Sequence, residues 1–238
     1  MNSYSAREVQ LIDSIVVPMI LGDRCLVGAR PDRLHVGYEQ MAFFCSVLRN
    51  LRPRAAIEVG TFEGQTFALI AKYAERAISI DPDDGVRRLL QPLFSNAEFY
   101  VGTSDNVLPG LIDEFNSSEW PLEFAFIDGN HSAEFVRRDI NNLLRYRPKT
   151  QTVILMHDTF NPECRSGVLG ADWARCEFCH FFEVDAVPGL VHPAMNCRGE
   201  MWGGVGMALL LPEPRKESLV VRQTHQLTFE AARNSRNR

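Results

Sequence analysis

The chain has 238 residues, 45% apolar and 23% charged, with a net charge of −5. This is the balance of an ordinary soluble globular protein with a sizeable core, and it excludes a collagen-like or largely disordered chain. A mildly acidic chain also argues against nucleic acid as the main partner.

The N-terminus lacks the cationic-then-apolar order of a secretory leader. Apolar runs such as Ile15–Ile20 fall far short of the ~20 residues needed to span a bilayer. A cytoplasmic location without membrane insertion is expected. The six cysteines (Cys25, Cys45, Cys164, Cys176, Cys179 and Cys197) are then expected to be reduced and mostly buried.

In chain order, residues 1–50 read as helical. Over Tyr38–Leu51, apolar residues at Met41, Phe44, Leu48 and Leu51 recur at helical spacing, and Pro53 ends the run. Ala55–Gly60 reads as a strand, followed by a helix from Gln65 to Tyr73. Ala77–Asp81 is a second strand, 85–94 a helix, and Glu98–Gly102 a third strand. Phe124–Asp128 is a fourth, with helical spacing from Ala133 to Tyr146, and Thr152–Met156 a fifth. Residues 159–180 read as a loop with one short helix. Phe181–Val187 and Gly206–Leu211 are expected to pair as an antiparallel hairpin at the sheet edge, and the tail beyond Pro212 to fray at Ala231–Arg238. Strand–helix alternation of this kind predicts an α/β, Rossmann-like doubly wound sheet with helices on both faces.

Ligands of such sheets bind at the carboxyl ends of the strands. Here the first strand ends on Glu58-Val-Gly-Thr-Phe-Glu-Gly64, the second on Asp81, and the third runs into Thr103-Ser104. The fourth ends on Asp128-Gly-Asn-His131 and the fifth on His157-Asp158. Gly60 and Gly64 let backbone approach a ligand, but the third glycine of a dinucleotide fingerprint is missing. Glu58 would repel a phosphate and suits a cationic ligand. Asp81, 23 residues further on, is placed to accept from ribose hydroxyls. Asp128 and Asp158 on neighbouring strands suit a hard divalent cation such as Mg²⁺, and His131 is placed to take a proton from a substrate hydroxyl. The structural alternative is that the glycines only make a tight turn and the aspartates only cap the segments after them.

The runs Ile57-Glu-Val-Gly-Thr-Phe-Glu-Gly64, Phe126-Ile-Asp-Gly-Asn-His-Ser132, Val136-Arg-Arg-Asp139 and Met156-His-Asp-Thr159, together with Asp81, resemble class I S-adenosylmethionine-dependent methyltransferases. Within that superfamily they resemble the branch with macrolide-sugar O-methyltransferases and cephalosporin-tailoring enzymes, over roughly residues 50–211. The resemblance implies about seven strands with one antiparallel edge strand, and a hydroxyl acceptor of sugar or polyketide type. It implies that Glu58, Gly60, Thr61, Gly64, Asp81, Thr103, Ser104 and Asp128 line the S-adenosylmethionine site. Asp128 and Asp158 would bind Mg²⁺, with His157 as a further candidate ligand, and His131 would be the base. The chain departs from metal-dependent members in carrying His157-Asp158 where some carry Glu-Asp, which implies fewer protein ligands or a softer metal.

The remaining features are weaker. Cys176-x-x-Cys179, with Cys164, His192 and Cys197, has the spacing of half a zinc site, and buried thiols are the alternative reading. Trp202-Gly-Gly reads as a packed aromatic and tight turn that could border the acceptor cleft. Residues 1–50 form a candidate lid or homo-oligomer contact, 51–212 the catalytic core and 213–238 a tail. Two other functions stay open at this point: a nicotinamide-dependent oxidoreductase and a non-catalytic cofactor-binding protein.

Overall fold

The computed structural model describes residues 36–191 and 199–235. The expected lid over 14–38 thus lies almost wholly outside the described residues, as do Cys25, His192 and Cys197. The elements are α1 (Tyr38–Leu51), β1 (Ala55–Val59), α2 (Gln65–Tyr73), β2 (Arg76–Asp81), α3 (Asp84–Leu90), β3 (Ala97–Val101), α4 (Ser104–Ser117), β4 (Phe124–Ile127), α5 (Ala133–Leu143), β5 (Thr152–His157), α6 (Pro162–Leu169), β6 (Cys179–Val191), β7 (Met201–Leu210), β8 (Val221–Arg222) and α7 (Gln226–Ser235). A 3-10 turn at Gln91–Leu93 follows α3.

The eight strands form one sheet in the order β3-β2-β1-β4-β5-β7-β6-β8. The first five named pair in parallel, and β7 runs antiparallel to both β5 and β6. The α/β doubly wound reading is borne out, with β8 added beside the expected strands.

Strand periodicity divides the core into two layers. Ile57, Val59, Ala125, Ile127, Ile154 and Met156 face one layer, with Leu108, Ile112 and Phe115 of α4 and Ile140 of α5. Ala56, Phe124, Phe126, Val153 and Leu155 face the other, with Met41, Phe44 and Leu48 of α1 and Phe67 of α2. The ring of Phe44 meets Phe124 and Phe126 edge-on at 5.6 and 4.7 Å.

Three elements differ from the sequence expectation. The sequence reading assigns no element to the stretch between Gly102 and Phe124, which contains Pro109 and Gly110. The structure carries α4 straight through it, because Leu108, Leu111, Ile112 and Phe115 bury one continuous face. The hairpin strands are longer than expected, and β6 slips register against β7 between Glu183 and Val187. This bulge re-aims the strand, and Asp185 within it is fully buried.

The stretch expected as a fraying tail instead adds β8 to the edge of β6 and ends in α7. Arg165 of α6, 4% exposed, holds that segment. Its guanidinium pairs with Asp185 at 2.5 and 3.1 Å and donates to Gln223 Oε1 at 2.9 Å and Gln226 Oε1 at 2.6 Å. It also lies 4.2 Å from the ring centroid of Phe229, which packs on Phe160. One anchor ring and a buried ion pair therefore do the work of an amphipathic face.

A buried pair is weak evidence for net stability, but breaking one side of it is costly. Replacing Arg165 by Met should cost about 3–5 kcal/mol in urea unfolding and speed amide exchange over 221–235. The double variant Arg165→Met/Asp185→Leu should recover most of that loss. Equal losses in both would show that the charge left behind on Asp185 is not the cause.

Candidate functional site

The parallel register brings the carboxyl ends of β1, β2, β4 and β5 to one edge. Gly60 follows β1 with a φ of 82°. A Cβ there would stand 2.2 Å from the Asp128 carbonyl oxygen. Gly64, with a φ of 78°, caps α2, and a Cβ would meet Leu90 Cδ1 at 2.6 Å. Both glycines therefore answer first to packing inside the chain.

Asp81 ties the same turn together. Its Oδ2 accepts from the backbone N–H of Thr61 and Phe62 at 2.9 and 3.0 Å, and its Oδ1 from Asp83 N–H at 2.9 Å. The Thr61 hydroxyl pairs with Ser79 Oγ at 2.7 Å. Glu58 is fully buried, and its Oε1 accepts from Thr66 Oγ1 at 2.5 Å. Among the described residues its Oε2 has no hydrogen-bond partner. Burial pushes the Glu58 carboxyl up to about 8, with the Asp128 and Asp81 charges adding and the Thr66 and Thr61 hydroxyls opposing.

At the end of β3, Thr103 precedes α4 and accepts from Asn106 Nδ2 at 2.8 Å. Ser104 points inward and donates to Asp139 of α5, whose carboxyl burial raises to about 6.

Four residues converge at β4 and β5. His157 Nδ1 lies 3.0 Å from Asp128 Oδ1 and 3.4 Å from Asp158 Oδ2. His131 Nε2 lies 3.1 Å from Asp158 Oδ2 and 3.7 Å from Asp128 Oδ1. Asp158 sits at a φ of 55°, and its other oxygen accepts from Gly203 N–H at 2.6 Å. The Asp128 and Asp158 carboxylates raise His131 to about 9 against the opposing effect of burial. Burial alone would lower His157, but the same carboxylates outweigh it and hold the ring well above the usual imidazole range. Burial would raise Asp158, but His157 and His131 outweigh it and hold that carboxyl well below the usual range.

Asp128, His157 and Asp158 each offer one ligand atom, and these atoms lie within 4.8 Å of one another. Two carboxylate oxygens and one imidazole nitrogen are a donor set that fits a divalent cation.

The sequence reading passes over two partners of this site, Gln40 and Thr66, and leaves the contact of Trp202 with His131 unspecified. Gln40 Oε1 lies 2.8 Å from His157 Nε2. The Trp202 ring stands edge-on to His131 at 5.3 Å, and its Nε1 donates to Glu200 at 2.7 Å. For Gln40 a signal existed: it continues the buried face of α1, one turn before Phe44.

Among the described residues the cysteines form no metal-ligating cluster. Cys164, Cys176 and Cys179 are free and buried. Arg215 donates to the Cys176, Cys179 and Ala174 carbonyls and so holds the turn that contains the two closest in sequence. Burial raises all three thiols, Cys179 to about 12. Among the described residues the cation cluster above is the one that metal-ligating side chains form.

Residues 57–159 match the family model described as a methyltransferase domain. No curated protein sequence matches the chain. Among solved structures, cofactor-bound Rv0187 from MTB is 19% identical with a TM-score of 0.53, over 89% of this chain and 100% of that one. The O-methyltransferase TomG from Streptomyces achromogenes, involved in tomaymycin synthesis and solved with S-adenosylmethionine, is 13% identical with a TM-score of 0.54, over 88% and 97%. An O-methyltransferase from Bacillus cereus in complex with S-adenosylhomocysteine is 12% identical with a TM-score of 0.51, over 87% and 98%. These three share the fold. No helix among the described residues is long and apolar enough to cross a membrane. The matched segment runs from β1 to just past β5, so over the part of the sheet that carries the site the chain resembles a class I S-adenosylmethionine-dependent methyltransferase.

Proposed function

We propose that the protein transfers the methyl group of S-adenosylmethionine to a hydroxyl oxygen of a small molecule, with a divalent cation at Asp128, His157 and Asp158. A sugar or polyketide-type natural product is the acceptor class, in a cytoplasmic setting, as the resemblance implies. The observation that carries the reading is the convergence of His131 with Asp128 and Asp158 on the sheet edge that also bears Glu58 and Asp81.

The cofactor supplies a methyl group already activated on sulfur, so the protein has to align it and manage one proton. Glu58 binds the cationic amino-acid part of the cofactor. A buried carboxylate oxygen without a donor is costly, and an ammonium group supplies that donor. Gly60, Thr61 and Gly64 shape the turn around it, Asp81 faces the ribose, and Thr103 and Ser104 lie toward the adenine. Asp128 borders both cofactor and metal.

An aliphatic hydroxyl is as weak an acid as water, with a pKa of roughly 15.7. A bound cation would lower the cost of deprotonating it by Lewis-acid polarisation. His131 then accepts the proton at Nε2. With Asp128 and Asp158 free, His131 is an imidazolium at neutral pH. Engaging those carboxylates with a cation removes what holds the ring charged and turns it into a base. Trp202, packed on His131, forms one wall of the acceptor space.

Three outcomes test this. First, EDTA-treated protein should bind S-adenosylhomocysteine with micromolar affinity in calorimetry, and no binding by folded protein would refute the cofactor assignment. Because Glu58 is mostly protonated at pH 7 and ionises against the ligand, binding should release close to one proton, visible as a buffer-dependent enthalpy. Glu58→Gln should abolish the release and weaken binding about tenfold to a hundredfold.

Second, the folded chain keeps a proton on Glu58 that the unfolded chain gives up, so stability falls as pH rises from 4.5 to about 8. Glu58→Gln should therefore raise the melting temperature of ligand-free protein at pH 8 and leave it nearly unchanged at pH 4.5. A pH-independent effect would mean that Glu58 is charged throughout. Third, His131→Ala should cut turnover by about 10²–10⁴-fold with little change in cofactor affinity. Equal losses in both would remove His131 from the role of base.

A further inference from the structure

Strand periodicity puts His157 on the same face of β5 as Val153 and Leu155, toward α1. On α1, Gln40 precedes Phe44 by one turn and is 4% exposed. The two side chains meet 117 positions apart in sequence, with Gln40 Oε1 2.8 Å from His157 Nε2. Gly203 presses on the other end of the amide. A Cβ at Gly203 would stand 2.5 Å from Gln40 Nε2, and the Gly203 carbonyl is already taken by Phe160 N–H. The amide oxygen faces the ring.

An amide oxygen can only accept, so His157 Nε2 must carry a hydrogen. In the neutral ring that leaves Nδ1 as a lone pair. It faces Asp128 Oδ1 at 3.0 Å and Asp158 Oδ2 at 3.4 Å, which are themselves lone-pair atoms. In the ligand-free protein the carboxylates keep a second proton on that nitrogen, and a cation held by the same three atoms would take that proton's place.

We propose that Gln40 is a positioning residue that holds His157 with Nδ1 toward this cluster, so that the centre binds its cation through one nitrogen and two oxygens and prefers Mn²⁺ to Mg²⁺. The inference rests on the metal reading above. Its chemistry is that of the donors. Mg²⁺ is a hard ion that seeks oxygen and dehydrates reluctantly, while an imidazole nitrogen suits first-row transition ions. A partner on the second ring nitrogen fixes the ligating one and raises its basicity.

The test uses EDTA-treated full-length protein titrated with MnCl₂ or MgCl₂ alone, read by calorimetry and by the electron spin-echo spectrum of bound Mn²⁺. Wild type should bind Mn²⁺ at least tenfold more tightly than Mg²⁺. Its spectrum should show modulation from a directly bound imidazole nitrogen that disappears in His157→Ala. Gln40→Leu, which frees the ring to place its hydrogen on Nδ1, should lose about tenfold in Mn²⁺ affinity with little change for Mg²⁺. Gln40→Glu keeps an acceptor at the same place and should keep the Mn²⁺ preference. Unchanged S-adenosylhomocysteine binding in Gln40→Leu checks that it is folded. If it fails to fold, the wild-type spectrum and Gln40→Glu still decide.

Equal affinity for the two ions with no nitrogen modulation overturns this inference and leaves the metal reading standing. A Gln40→Leu protein that binds both ions as wild type does overturns the role of Gln40. No binding of either ion overturns the metal reading and the inference with it.

Discussion

The crossing of Gly60 over the Asp128 carbonyl sets the geometry of everything else at this edge. The chain leaving β1 passes so close to the chain leaving β4 that a single added carbon would stand 2.2 Å from a backbone oxygen. That contact needs both the bare α-carbon and its φ of 82°. It lets the turns that leave β1 and β4 touch at this edge. Glu58 consequently feels the Asp128 charge, although the two belong to different strands and different ligand roles. The glycine turn is a packing solution first, and the cofactor cradle follows from it.

Convergence has a cost that the fold does not relieve internally. Glu58 is buried with one oxygen unpartnered, and Asp128, Asp158, His131 and His157 crowd within hydrogen-bonding range of one another. A chain selected for stability alone would place an apolar side chain at position 58, which lies beside Phe126 in the register of β1 and β4. An ionisable group kept among such neighbours marks a candidate ligand site. The energetics of the ligand-free state and the affinity for ligand are then two sides of one arrangement.

How much of this the sequence could reveal depends on the range of the interactions involved. Glu58, Asp81, Asp128 and Asp158 were legible because the end of a short apolar run is a local signal, and parallel topology then puts all such ends on one edge. Gln40 was not. Its polar type hides it on an apolar helical face, and its partner lies 117 residues away. Helix α4 was not read although Leu108, Leu111, Ile112 and Phe115 recur at helical spacing; Pro109 and Gly110 interrupt that run. Helix α7 was hidden for the opposite reason. It buries one large residue, Phe229, and depends on Arg165 and a bulge in β6, neither of which leaves a periodic trace.

The histidine pair shows why a list of ionisable residues is not yet a mechanism. His131 and His157 approach the same two carboxylates but differ in what holds their far sides. His157 is locked through Gln40 and packs against Phe126, with ring centroids 6.0 Å apart. A ring fixed at both nitrogens is suited to hold a ligand in place and ill suited to carry a proton away. His131 stands at the mouth, is nearly half exposed at its side chain, and touches Trp202 through its edge alone. A ring with one free side can exchange protons with an acceptor and with solvent. The carboxylates favour the charged form of both rings, so a cation placed among them competes with both. His157 can meet that competition by ligating through Nδ1, whereas His131, released, becomes neutral. The proposed division, with the inner histidine on the metal and the outer one on the proton, rests on how each ring is held, independently of where either stands in the sequence.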